Sequence, residues 1–96
     1  MRNKIRHLPP AERTEMKQKQ KDKWGKIIGE RIEHRMRNSN PPWSPTVLAV
    51  RAGCSPTTIR NALQGNLIRL DVYYDIATAL GIAVGKLIQV PPGGLD

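Results

Sequence analysis

The sequence predicts an all-α fold, a compact domain of five helices preceded by a basic N-terminal extension. Three observations lead to this prediction. Apolar residues recur at spacings of three and four, which is the period of one helix face. Ser or Asp before an apolar run, and Gly after it, repeatedly give the start and stop signals of helices. No segment alternates polar and apolar residues with period two, so no sheet is predicted.

The length and composition limit the possible classes of protein. A chain of 96 residues has room for one domain, and its 39% of hydrophobic residues permit a small core. The single cysteine excludes a disulfide framework and a cysteine-based zinc site. No run of about 18 apolar residues exists, and no apolar stretch follows the first residues. We therefore expect no membrane span, no secretory signal and a cytoplasmic location.

Positive charge is concentrated near the N-terminus. The chain carries 16 Lys and Arg against 8 Asp and Glu, a net charge of +8. Residues 1–26 hold nine of the basic residues and three of the acidic ones. We interpret residues 1–22 as a basic arm, flexible or helical, that lies along phosphates, and a solvated tail is the alternative. The expected partner of the protein is a polyanion.

The first helix of the domain is predicted over residues 23–38. Its apolar stripe consists of Trp24, Ile27, Ile28, Ile32 and Met36. Gly25 and Gly29 lie within the same helix, and each is expected to weaken it by about 1 kcal/mol relative to Ala. The helix must end by Asn40, because Pro41 and Pro42 cannot continue it.

Two short helices, of about eight and nine residues, are predicted next. Each begins at a Ser-Pro pair and ends at a glycine, from Ser44 to Gly53 and from Ser55 to Gly65. Ser is a good N-cap, Pro suits the first helical position, and Gly favours the C-terminal end. Helices this short are not stable alone, so each must pack against its neighbours.

Two further helices complete the predicted domain, which covers residues 23–90. Asp71 is predicted to cap a fourth helix that ends at Gly81 and carries an apolar stripe of Val72, Tyr73, Ile76, Ala77 and Leu80. A short fifth helix is predicted from about Val84 to Ile88. Residues 91–96 form a C-terminal tail rich in Pro and Gly.

The two short helices and the glycine-containing turn between them resemble a helix-turn-helix motif. With their surroundings they resemble the phage Cro and repressor family of the xenobiotic-response-element type, which has a lambda-repressor-like fold. The residues that carry the resemblance, within residues 27–88, are Leu48, Ala49, Ala52, Gly53, Ser55, Thr58, Ile59, Gly65, Ile76, Ala77, Ala79, Leu80, Gly81 and Leu87. The resemblance implies a five-helix protein of the bacterial host cytosol that binds operator DNA, usually as a homodimer, and regulates transcription.

The resemblance also implies which residues contact DNA. By position, the family's base-reading residues fall on the second motif helix, at Pro56, Thr57, Arg60 and Asn61. Arg60 can present its guanidinium fork to guanine O6 and N7, and Asn61 can pair with adenine N6 and N7. Phosphate contacts are expected from helix N-termini and neighbouring basic side chains, at Ser44, Thr46, Ser55, Thr58, Lys23, Lys26 and Arg69. The expected homodimer surface consists of the C-terminal residues Val84, Leu87, Ile88 and Val90.

The sequence differs from the family at two positions that are expected to be partners. Many members pair an acidic residue with an arginine on the first helix, whereas the corresponding positions here are Leu63 and Met36. Because both partners are apolar, no unpaired buried charge is left behind. We expect these two side chains to face each other.

Other functional classes fit the sequence less well. An antitoxin would bind DNA through the same domain and a toxin through residues 1–22, but that segment offers only Ile5, Leu8 and Met16 as apolar anchors. A reader of single-stranded RNA would need aromatic platforms, which the chain lacks. No acid–base pair, nucleophile–base pair, metal cluster or phosphate loop is visible, so we expect no enzyme, no cofactor and no metal. The preferred interpretation is a sequence-specific transcription regulator.

Overall fold

The computed structural model describes residues 10–95, and it describes side chains from residue 18 onward. This part of the chain folds into five α-helices without a strand: α1 (Pro10–Arg37), α2 (Pro45–Ala52), α3 (Pro56–Leu63), α4 (Leu70–Leu80) and α5 (Val84–Ile88). The prediction of a compact all-α domain with five helices is therefore confirmed. None of the helices between residues 10 and 95 combines the length and the hydropathy that crossing a bilayer requires.

One face of each helix contributes to a single core. Its buried side chains are Ile28, Ile32, Met36, Leu48, Ala49, Ile59, Ala62, Tyr73, Ile76, Ala77 and Leu87. α2 packs against α3 and α4, α1 packs against α3 and α5, and α4 packs against α5. No buried side-chain nitrogen or oxygen of the described residues lacks a hydrogen-bond partner. No charged side chain of the described residues is buried, and the hydroxyl of the core residue Tyr73 accepts a hydrogen bond from the Ile68 N–H at 3.2 Å.

α1 begins at Pro10 and not at residue 23, so the predicted start of the first helix is wrong. Proline suits the first position of a helix, and the Glu, Met, Lys and Gln residues that follow are good helix formers. Lys19, Lys21 and Lys23 are exposed, and contact with the core begins at Trp24. Of the two forms considered for the arm, the helical one applies from residue 10 onward. That helical segment adds about 20 Å to α1 ahead of the domain.

Gly25 and Gly29 allow α1 to pack closely against the end of α3, a role that the local sequence does not reveal. A Cβ atom at Gly25 would overlap the backbone carbonyl oxygen of Gly65, and one at Gly29 would lie 2.6 Å from the carbonyl oxygen of Ala62. Both distances are shorter than real Cβ contacts, so α1 and the end of α3 approach this closely only because both positions lack a side chain. The expected cost of these glycines in helix propensity is therefore accompanied by a packing requirement that a side chain would violate.

The start of α4 also differs from the prediction. Arg69 is the extended residue before the helix, Leu70 is the first helical residue, and Asp71 lies inside the first turn. Asp71 Oδ1 accepts a hydrogen bond from the Val72 N–H at 3.0 Å, and Asp71 Oδ2 lies 3.0 Å from Arg69 Nη2. Asp71 is therefore not the N-cap, because the helical conformation already begins at the residue before it.

Met36 and Leu63 line the same cavity of about 230 Å³. Met36 is buried and Leu63 is half-buried, and that the two side chains face each other stays a prediction.

Leu87 was wrongly predicted to contribute to a dimer surface. It is 0% exposed, because it is the residue through which the short helix α5 enters the core. Of the other residues predicted for that surface, Val84 and Ile88 are half-buried and Val90 is 48% exposed.

Candidate nucleic-acid interface

A tight turn joins α2 to α3. Gly53 follows α2 with a φ of +76°, and its N–H donates a hydrogen bond to the carbonyl oxygen of Ala49 at 2.9 Å. The Cys54 N–H donates to the same carbonyl at 3.0 Å, and Ser55 is the extended residue that starts α3. Residues other than glycine rarely adopt this positive φ, so Gly53 allows the chain to reverse direction in so few residues.

Two serine hydroxyls cap the helices on either side of this turn. Ser44 Oγ accepts a hydrogen bond from the Val47 N–H at 3.2 Å, and Ser55 Oγ accepts one from the Thr58 N–H at 3.2 Å. The hydroxyls of Ser55 and Thr58 also lie 2.9 Å apart in a hydrogen bond. The N-cap prediction is confirmed for both serines. Each serine uses only one N–H group of the first turn. A phosphate at the start of either helix could therefore bond to the remaining N–H groups and to the serine hydroxyl.

The polar face of α3 points into solvent. Thr57, Arg60 and Asn61 are exposed, Pro56 is half-buried, and the opposite face buries Ile59 and Ala62. Positions three and four apart lie on one side of a helix, so the three exposed residues form one surface.

Gln64 extends this surface and was not predicted. It is the exposed C-cap residue of α3, and it follows Arg60 by four positions. That spacing is the signal from which it could have been found.

The chain around α2 and α3 contains no acidic residue. None occurs between Glu33 and Asp71, whereas the same segment carries Arg35, Arg37, Arg51, Arg60 and Arg69. Neither α2 nor α3 has an acidic residue in its first turn, the position where Asp and Glu are favoured. The positive N-terminal ends of both helices are therefore left without a neighbouring carboxylate on their own turn. This lack of acidic residues is visible in the sequence itself.

The basic side chains predicted to contact phosphate differ in position. Lys26 lies beside the end of α3, since a Cβ at Gly65 would be 2.9 Å from Lys26 Cγ. Lys23 is exposed nearly one turn earlier on α1.

Arg69 is paired with Asp71 at 3.0 Å, but both side chains are largely exposed, and such surface pairs contribute at most about 1 kcal/mol. Arg69 must therefore leave a weak pair before it can bind a phosphate.

Cys54 is half-buried in the turn between α2 and α3. Burial raises the pKa of the Cys54 thiol, and the carboxylate of Asp75 adds to this effect. The neutral thiol is thus favoured, which argues against Cys54 as a nucleophile.

The histidines give no indication of a metal site. His34 is exposed, its Nε2 lying 2.9 Å from Asn38 Nδ2 in a hydrogen bond, and His7 lies outside the described residues. Among the side chains described, those of residues 18–95, no three His, Cys, Asp or Glu are grouped so that they could hold a metal ion.

Comparisons with protein-family models, with curated proteins and with solved structures found no match for this chain. Its function must therefore be inferred from its own residues and their geometry.

Proposed function

We propose that this protein is a sequence-specific DNA-binding transcription regulator of the Cro or repressor type. In this proposal α2, the turn at Gly53 and α3 act as a helix-turn-helix motif. The observation that carries it is the exposed face of α3, where Thr57, Arg60 and Asn61 lie together in a segment without acidic residues. An α-helix fits the major groove of DNA, and the N-terminal half of the second motif helix contacts base edges.

Each residue of this face has a distinct role in the proposal. Arg60 donates two hydrogen bonds to guanine, at O6 and N7, and Asn61 pairs with the N6 and N7 of adenine. Thr57, near the start of α3, donates to a base or contacts the methyl group of thymine. Pro56 has no N–H and is half-buried, so it contributes an apolar contact at most.

Phosphate contacts place α3 in the groove. The first turns of α2 and α3 offer N–H groups and the hydroxyls of Ser44 and Ser55, and neither turn carries an acidic residue of its own. Lys26 and Lys23 extend the positive surface along α1, beyond the end of α3. These contacts supply affinity and orientation without reading sequence.

We propose that two copies bind one two-fold-symmetric site. After the exclusion of Leu87, we take as the candidate interface an apolar groove of about 280 Å³ that Ile88, Leu67 and Leu70 line. Leu70 is 62% exposed and Val90, which follows Ile88 by two residues, is 48% exposed. Apolar residues this exposed are suited to an interface between subunits.

The combined substitution Lys23→Gln/Lys26→Gln tests the phosphate contacts. Each lost contact makes the slope of log affinity against log salt shallower by about 0.9, so we expect a change of roughly 2. Affinity should fall on specific and scrambled duplexes alike, because phosphates carry no sequence information. Fluorescence anisotropy over a range of salt concentrations measures both effects.

Lys86→Gln is the matched control, because Lys86 is exposed on α5, which contacts the side of α1 away from α3. It should leave the salt slope unchanged. If the Lys23/Lys26 variant keeps the wild-type slope, these lysines do not contact DNA. If no duplex of any sequence is bound by the wild-type protein, the proposed function itself fails.

A further inference from the structure

A groove of about 530 Å³ lies between α1 and α5. Binding sites for small molecules occupy roughly 300–1,000 Å³, so the groove has the size of such a site. Ile27 and Ile82 provide apolar surface in it. Side chains of α1 that face the groove, such as Arg31, are about half a turn of the helix away from Gly29, which contacts α3. The groove is thus separate from the proposed DNA-binding face.

The charged side chains of this groove are mainly cationic. Arg31, Arg35 and Lys86 line it together with the imidazole of His34, and Glu30 is its single carboxylate. Arg31 is already engaged, because its Nη1 donates hydrogen bonds to the carbonyl oxygens of Leu87 at 2.9 Å and Gln89 at 2.6 Å.

Arg35 and Lys86 are the cations left to meet a ligand. Both are exposed, and neither takes part in the ion pairs found among the described residues. They come from different helices, α1 and α5, and line the same groove. Positive charge from two helices thus faces the same groove as the apolar surface of Ile27 and Ile82.

We propose that this groove binds an amphipathic anion of small-molecule size, with an apolar body and a carboxylate or phosphate group. The apolar body covers Ile27 and Ile82, and the anionic group accepts charge-assisted hydrogen bonds from Arg35 and Lys86. A neutral apolar molecule cannot bond to Arg35 and Lys86. Inorganic phosphate has no apolar part to cover Ile27 and Ile82. Both parts of the ligand are thus required. The proposal does not depend on DNA binding.

The dye 8-anilinonaphthalene-1-sulfonate has this chemistry, since it combines aromatic rings with an anionic group. We expect its fluorescence to rise on binding the folded wild-type protein, and Arg35→Gln/Lys86→Gln to weaken the binding by about tenfold. Glu30→Gln should strengthen it, because the carboxylate repels the anion. Circular dichroism melts of each variant show that a change in dye binding does not come from unfolding.

Arg37→Gln is the matched control. Arg37 is also an exposed arginine in the last turn of α1, but it pairs with Glu33 at 3.0 Å and does not line the groove. Dye binding should be unchanged in this variant. If the wild-type protein does not bind the dye, or if the Arg35/Lys86 variant binds it as tightly as wild type does, the proposal is overturned.

Competition identifies the chemistry of the ligand. Octanoate and octyl phosphate should displace the dye, whereas octanol and inorganic phosphate should not. The relative strengths of octanoate and octyl phosphate then show which anionic group the groove prefers. If octanol competes as well as octanoate, the cations play no part and the proposal is wrong.

Discussion

Gly25→Ala should destabilise the domain by about 3 kcal/mol or more, the upper range for overpacking a closely packed interior. The new methyl group would overlap the backbone carbonyl oxygen of Gly65, so α1 and the end of α3 would have to separate. Helix propensity alone predicts the opposite sign, a gain of about 1 kcal/mol for Ala over Gly. Urea or thermal unfolding of the variant measures the free energy of unfolding. A loss of stability shows that the overlap with Gly65 outweighs the better helix propensity of Ala, and a gain shows the reverse.

Gly85→Ala is the control for this prediction. Gly85 lies within the helix α5, and no atom would lie within 4 Å of an added Cβ. We expect that variant to be as stable as wild type, or more stable by up to about 1 kcal/mol. Gly29→Ala should be destabilising as well, since its Cβ would lie 2.6 Å from the Ala62 carbonyl oxygen. Equal stability of the Gly25 and Gly85 variants would show that the close approach of α1 to α3 is not needed.

The combined substitution Arg60→Ala/Asn61→Ala should remove most of the sequence preference of the protein. Each side chain is expected to contribute about 1–3 kcal/mol of discrimination at one base position. Affinity for random DNA should change much less, because the contacts to phosphate remain. Both residues are exposed, so the fold should be unaffected. Competition assays with duplexes that differ from the preferred site at single base pairs measure the loss.

Arg37→Ala is a suitable control for that double variant, since it also removes an exposed arginine but lies on α1. It should keep the wild-type site preference. If the Arg60→Ala/Asn61→Ala variant keeps the wild-type site preference as the Arg37→Ala control does, α3 is not the helix that reads the bases.

Local signals in the sequence were sufficient to predict most helices. α2 and α3 begin at Pro45 and Pro56, directly after serines that cap them, and α5 spans Val84–Ile88 as predicted. These signals succeed because an N-cap involves only residues within one turn. Thr57, Arg60 and Asn61 are exposed, as base-reading residues must be, but their role in reading bases stays a prediction.

The features that were missed depend on contacts between distant parts of the chain. Gly25 contacts Gly65, and Trp24 Nε1 donates a hydrogen bond to the carbonyl oxygen of Ile88 at 2.7 Å. No local pattern reveals either contact. The five residues of α5 are too few to show a periodic face, and Leu87 was therefore assigned to the surface although it is buried. The segment before Trp24 was not recognised as part of α1, because it lacks an apolar stripe and only helix propensity favours it.

Selection of bound duplexes from random-sequence DNA tests the central claim most directly. Wild-type protein should enrich a two-fold-symmetric site whose half-sites are about one helical turn apart, roughly 10 base pairs from centre to centre. The Arg60→Ala/Asn61→Ala variant, selected in parallel, should lose that enrichment while still retaining DNA. Failure of the wild-type protein to enrich any sequence, or an identical enriched site in the variant, would contradict the claim that α3 reads a DNA sequence.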